Sequence, residues 1–502
     1  MSVKLTALLY PVIRVLAGAV LTALIGCSSS QTTPSATTQT FELERDCSPL
    51  LEQLDQQIRS AGLADPMAYP IPRYPYLRSN RLLASFSDQL DNDLNVEGWY
   101  QQLYQLGRNA RQLELTNLNP PLSSQQRNRV ESCVDYQATI DRKSADFQQR
   151  LTDSAQVPDD YSDWQQLLGL YPLTRKIVLH QIAKQQQQWR QDFNTPTVLQ
   201  GESHHYHPLQ NRPVQGEPIN QAQIARWLSQ ARTNNPLAIP QLDQDKQMAL
   251  FQHFAPSWQI FTASPADKIG RPYWHDNRPA VNTDDPIAYW LPSYTRFNGQ
   301  TLLQLNYLIW FPERPSQHPL DLYSGLLDGL LWRVTLGFDG KVLLYDSIHP
   351  CGCYHQIFPV SPRLSIKPLP DNIEQPLILP QVAPDPPRGR LRLQLTPGDH
   401  YLQGITLDTS QSAEQQPHSK PYRFEDYQQL RSLVTATGRK GLFDADGLVG
   451  HSRRLERFIL WPMGVASPGA MRIWGRHAIG FANRRHFDDP YLFEQFFEWN
   501  SE

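Results

Sequence analysis

Residues 301–311 read TLLQLNYLIWF, an apolar run broken only by Gln304 and Asn306. A segment this apolar on every side suits a strand covered on both faces, and it predicts a central strand of a buried sheet. Working outward, Leu330–Leu336 (LLWRVTL) and Lys341–Tyr345 (KVLLY) flank Phe338-Asp339-Gly340. Asp-Gly tolerates positive φ, so this pattern predicts two antiparallel strands joined by a tight turn. Further on, Arg390–Leu395 alternates polar and apolar residues as a half-buried strand should. The stretches Tyr422–Val434 and Tyr491–Trp499 read as helices.

Directly after the hairpin lies His349-Pro-Cys351-Gly-Cys353-Tyr-His355. Four donors two residues apart share one face of an extended segment. Two thiolates with two imidazoles form a ligand set for zinc or copper. Same-face side chains in a strand stand about 6.5–7 Å apart, whereas sulfurs on one zinc lie within about 4 Å of each other. The segment must therefore bend, and Pro350 and Gly352 permit that. The same bend allows a Cys351–Cys353 disulfide, a redox-active dithiol, a cysteine nucleophile with His349 or His355 as its base, or simple packing. A second cluster is C-terminal: His451, Arg476, His477, Arg485 and His486. Arginine forks beside histidines suit a small anionic ligand, and Asp488 stands where it could orient His486. Ser203-His204-His205-Tyr-His207 reads as a surface loop.

The N-terminal part reads differently. Ser48-Pro49 suits a helix start, with Leu50, Leu51, Leu54 and Ile58 as its buried stripe and Gly62 as its stop. Helical spacing recurs in Val96–Leu113, from Ser124 onward, and in Leu173–Phe193. Between them, Tyr69-Pro-Ile-Pro-Arg-Tyr-Pro-Tyr76 carries too many prolines for regular structure. Gln185–Gln188 reads as a solvated helical face. The expected fold is α+β: a helical domain over 46–195, a Pro-, His- and Asn-rich boundary, and a larger, mixed, β-rich domain over 219–502.

The first residues explain where such a body would stand. Lys4 and Arg14 precede the uncharged run Val15–Ile25, too short to span a bilayer comfortably. Leu24-Ile25-Gly26-Cys27 follows, then Ser28-Ser29-Ser30 and a polar stretch. This resembles the lipobox of bacterial lipoproteins. The resemblance covers residues 1–27 and implies a signal peptide over 1–26, cleavage before Cys27, acyl chains (palmitate among them) on Cys27, and a tether over 27–45. Ser28 implies the outer membrane, with the body facing the periplasm. The membrane is then a partner through the N-terminal lipid. In that oxidising compartment Cys47 and Cys133, and Cys351 and Cys353, are the natural disulfide pairs.

Composition narrows the rest. Loss of Lys4 and Arg14 leaves the chain slightly more negative than its full-length formal charge of −3. No basic block points to nucleic acid. The 12 Trp, 21 Tyr and 19 Phe argue for a packed body. Three functions fit: an envelope lipoprotein with a binding or structural role, a metal-binding protein, or a Cys/His enzyme acting on an envelope substrate.

Overall fold

The computed structural model describes residues 36–194, 201–209, 219–380, 382–383, 389–408 and 418–500. Cys27, the leader and most of the boundary region lie outside the described residues. The fold is α+β, an N-terminal helical region followed by a larger mixed, sheet-rich domain. Residues Asp46–Glu502 form one compact unit.

The helical region contains α1 (Ala36–Ser60), α2 (Asp93–Asn117), α3 (Ser124–Asp141), α4 (Asp163–Leu168) and α5 (Tyr171–Asn194). Asn92 caps α2 by accepting from the Asn95 N–H, and Ser123 with Gln126 makes a capping box at the start of α3. Pro49 lies inside α1 rather than at its start, so the helix takes in residues expected in the tether. Leu51, Leu54 and Ile58 of the expected stripe are buried while Leu50 is only half-buried, and the disulfide Cys47–Cys133 ties the helix to α3.

Eleven strands build the main sheet: β1 (Ser203–Pro208), β2 (Ser257–Phe261), β3 (Ile287–Phe297), β4 (Gln300–Arg314), β5 (Gly325–Leu336), β6 (Val342–Ile348), β7 (Gln356–Pro359), β8 (Leu377–Ile378), β9 (Arg390–Leu395), β10 (Leu402–Asp408) and β11 (Ser419–Asp426). Their spatial order is β8-β7-β6-β5-β4-β3-β11-β1-β2-β9-β10. Strands β3 to β7 pair antiparallel in sequence order. Strand β11 pairs parallel with both β1 and β3. It is the seam between two groups of strands.

The continuous apolar run of β4 follows from burial on both faces. Leu305, Tyr307, Ile309 and Phe311 enter one core, and Leu302, Leu308 and Trp310 enter the other. Helices α6 (Gln221–Thr233) and α7 (Gln244–His253) cover the first core with Ile224, Leu228, Leu250 and Phe251. The C-terminal segment covers the second with Met471, Phe487, Phe493 and Phe496. A short helix, α8 (Arg457–Leu460), lies in that segment.

Several expectations need correcting. The proline-rich stretch is an antiparallel hairpin, Tyr69–Ile71 with Tyr74–Ser79, whose register shifts between Pro70 and Ile71. In a two-stranded ribbon every second N–H faces away from the partner strand, so prolines are tolerated there. Residues 203–208 are strand β1, with His204 and His205 buried, rather than a surface loop. The stretch expected to be a helix from Tyr422 is the end of β11 followed by a 3₁₀ turn, Tyr427–Arg431. Pairing with β1 as far as Tyr422 and with β3 from Arg423 to Asp426 overrides its local helical spacing. The expected closing helix is a 3₁₀ turn, Phe493–Gln495, and a strand, Phe497–Trp499, paired with Leu364–Ile366.

Candidate functional site

The His/Cys segment joins β6 to β7. It is a compact turn and not an extended strand. The His349 N–H donates to Cys353 O at 3.0 Å, and the Gly352 N–H donates to His349 O at 2.8 Å. Gly352 has φ +88°, and a Cβ there would lie 2.5 Å from Ala478 O. Both facts require glycine.

This turn keeps the two thiols together and sends the two imidazoles to different partners. His349 Nδ1 lies 3.2 Å from Asp328 Oδ1, and His355 Nε2 lies 3.0 Å from Asp346 Oδ2. Cys351 is buried, and the Cys353 N–H donates to its Sγ at 3.4 Å. Among the described residues no group of three or more His, Cys, Asp and Glu is arranged to hold a metal ion. The residues His349, Cys351, Cys353 and His355 are therefore not gathered as a zinc or copper centre, the two imidazoles being directed to separate buried carboxylates. The expected Cys351–Cys353 disulfide is also absent, and both thiols are free.

Each carboxylate heads a buried network. Asp346 takes Arg333 Nε at 2.8 Å as well as His355, and the Arg333 guanidinium lies 3.5 Å over the Phe487 ring. Burial works against the Asp346 charge, but Arg333 and His355 overcome it and hold the carboxyl below its usual range. Asp328 takes His349, His400 Nδ1 at 2.9 Å and Arg454 Nη2 at 3.5 Å. His400 also reaches Asp267 through Nε2 at 3.2 Å and stacks on Phe311 at 3.7 Å. Burial alone would lower the His400 pKa; Asp267 and Asp328 raise it above the ordinary value. His349 goes the other way, since burial lowers its pKa despite Asp328.

Beyond the turn opens a cavity of about 520 Å³. Helix α5 supplies Ile177, Ile182 and Trp189 to its wall; the turn supplies Cys353, Tyr354 and His355. Trp189, Tyr354 and Tyr401 meet edge to face, with ring centres 4.6–5.9 Å apart. The lining is mainly apolar by area, with Arg314, Arg485, Glu374 and Glu456 as its charged groups. Glu374 accepts from the Phe481 and Ala482 N–H groups at 2.7 and 2.8 Å, and burial raises its pKa. Glu456 is raised by burial too. Arg314 is 7% exposed, donates from Nη2 to Tyr401 Oη at 3.0 Å, and has no partner for Nη1. No described carboxylate lies within ion-pair distance of it. The Cys353 thiol is held well above its ordinary pKa, first by its hydrogen bond with Cys351 and then by burial. Its partner is therefore a thiol, and among the described residues neither cysteine is hydrogen-bonded to an imidazole.

The C-terminal candidates disperse. Arg485 lines the cavity. His477 is buried and neutral, its pKa pushed down to about 3 by burial and then by Arg472 and Arg333. His486 Nε2 lies 3.3 Å from Asp159, and Arg476 Nη1 lies 3.2 Å from Asp160, so both clamp the loop before α4. His451 is exposed beside Trp274. Asp488 pairs with Arg81 at 3.3 Å instead of orienting His486. The C-terminal segment nevertheless meets the turn, since the Arg472 N–H donates to Pro350 O and its Nε to Cys351 O.

Sequence reasoning missed Asp328, Arg314, His400 and Tyr401. Asp328 carried a signal: a lone carboxylate inside the apolar run LLDGLLW, which demands a buried partner. Gln185 and Gln186, read as solvated, line the cavity mouth. No protein-family model, curated protein or solved structure matches this chain.

Proposed function

We propose that the chain is a ligand-binding lipoprotein of the bacterial envelope, outer-membrane anchored and facing the periplasm. Its cavity takes an amphipathic molecule with an apolar body and an anionic head. The observation that carries this reading is Arg314, a buried guanidinium without a carboxylate partner, in the wall of a mainly apolar cavity. Its buried Nη1 has no hydrogen-bond partner; such a donor is costly to leave unsatisfied, and a bound anion would accept from it. Pockets with apolar linings and a few convergent polar groups are the usual form of small-molecule sites. The lipobox resemblance and the Cys47–Cys133 disulfide fit an exported protein.

Binding of the anionic probe anilinonaphthalene sulfonate, compared with uncharged phenylnaphthylamine, tests it on the full chain. Charge-assisted hydrogen bonds contribute about 1.5–3 kcal/mol, so Arg314→Leu should weaken the sulfonate roughly 10- to 150-fold. The uncharged probe should bind the variant as it binds the parent. Equal sulfonate affinity in Arg314→Leu and parent would end this reading.

A further inference from the structure

The surface around the cavity mouth is unusually apolar. At the corner between α4 and α5, Trp164 is 62% exposed, Leu167 77% and Leu173 63%. On α8, Phe458 is 63% exposed. The two patches are held together by packing. A Cβ on Gly169 would lie 2.3 Å from Pro462 Cβ, and the Ser162 N–H donates to Gly464 O at 2.7 Å. Ile177 and Ile459 are exposed on this collar and also line the cavity, so collar and mouth are continuous. Scattered exposed apolar residues need no explanation, but a contiguous patch marks a contact surface.

The charges beside the patch select the partner. Helix α5 carries Arg175, Lys176, Lys184 and Arg190 with no acidic residue before Asp192. Lys176 and Lys184 are exposed, and no described carboxylate pairs with them. The nearby acid Asp163 is occupied by Arg484. Apolar side chains with cations beside them match a lipid surface, where rings and aliphatic groups enter the acyl boundary and cations meet anionic headgroups.

We infer that this collar docks on an anionic lipid bilayer, so that the cavity mouth opens against the membrane. The inference rests on the collar and its cations, and does not need the cavity's occupant to be known. Leu167, Leu173 and Phe458 do not line the cavity, so changing them leaves probe binding there intact.

The experiment uses the full chain carrying Cys27→Ser, which has no thiol to lipidate; any pull from the apolar leader is common to all variants. Partition is measured onto vesicles of phosphatidylcholine alone and of phosphatidylcholine with phosphatidylglycerol. Burial of one large apolar side chain corresponds to about a tenfold or greater change in partition, so Leu167→Ser/Leu173→Ser/Phe458→Ser should lose well over tenfold on anionic vesicles. Lys176→Gln should lose roughly fivefold there and little on neutral vesicles. Equal partition of parent and triple variant, or no dependence on phosphatidylglycerol, overturns the inference. So does a sedimenting dimer that Phe458→Ser dissolves, since a second copy would then be the occupant.

Discussion

Asp328→Asn is the sharpest probe of the frame behind the turn. The carboxylate is fully buried, 2.9 Å from His400, 3.2 Å from His349 and 3.5 Å from Arg454. Asparagine keeps its size but removes the charge and turns an NH₂ toward at least one of these donors. Removing one partner of a buried ion pair costs about 3–5 kcal/mol, and that is the expected loss. Its pH dependence follows from the two shifts. His400 titrates above its ordinary value, so its contribution is complete below about pH 6.5 and is lost as pH rises through its folded pKa. Asp328 titrates well below its ordinary value, despite burial, because His349 and Arg454 favour the charge. Its contribution is present above about pH 4 and is lost as pH falls through its folded pKa. The gap between parent and variant should therefore be widest near about pH 5–6, where the carboxylate and the imidazolium are both charged. It should narrow in alkali, where His400 is neutral in both proteins. Urea unfolding followed by tryptophan emission at acidic and alkaline pH measures it. A loss below about 1 kcal/mol, the size of an ordinary hydrogen bond, or a gap flat with pH, would refute the reasoning.

Two further predictions concern the turn. Gly352→Ala sets a Cβ against Ala478 O at a left-handed φ and should cost at least about 1–3 kcal/mol, read as a lowered thermal midpoint. Cys353 should react slowly with iodoacetamide at neutral pH and faster as pH rises, because Cys351 and burial hold it protonated. In Cys351→Ala the same thiol should label faster at the same pH, measured by mass spectrometry of the digested protein.

Much of the architecture was legible where one face or one period dominates. The β4 run, the Asp-Gly hairpin and the stripes of α1 to α3 are local patterns that survive into the structure. The segments that misled are those whose state is decided by distant partners. Tyr422–Asp426 has strand neighbours that begin at Ser203 and Ile287, and no window around residue 422 contains them. The site was half legible. His355 and Cys353 stood out as unusual residues, and both line the cavity. Their shared face did not survive, because the partners that separate them, Asp328 and Asp346, lie on β5 and β6 and act through burial rather than spacing. Arg314 and Tyr401 meet at the cavity across 87 positions of chain, a proximity that spacing alone does not encode.

The parallel seam of β11 has a consequence for biogenesis. Synthesis from the N-terminus delivers β1 and β3 well before Ser419, so they emerge with their facing edges bare. Open edges of that kind invite pairing between molecules, and closing them requires contacts of long sequence separation, which form slowly. The interval before Ser419 is made is thus the period in which this protein most needs a chaperone, and a product truncated shortly before Ser419 should aggregate instead of settling into a smaller fold.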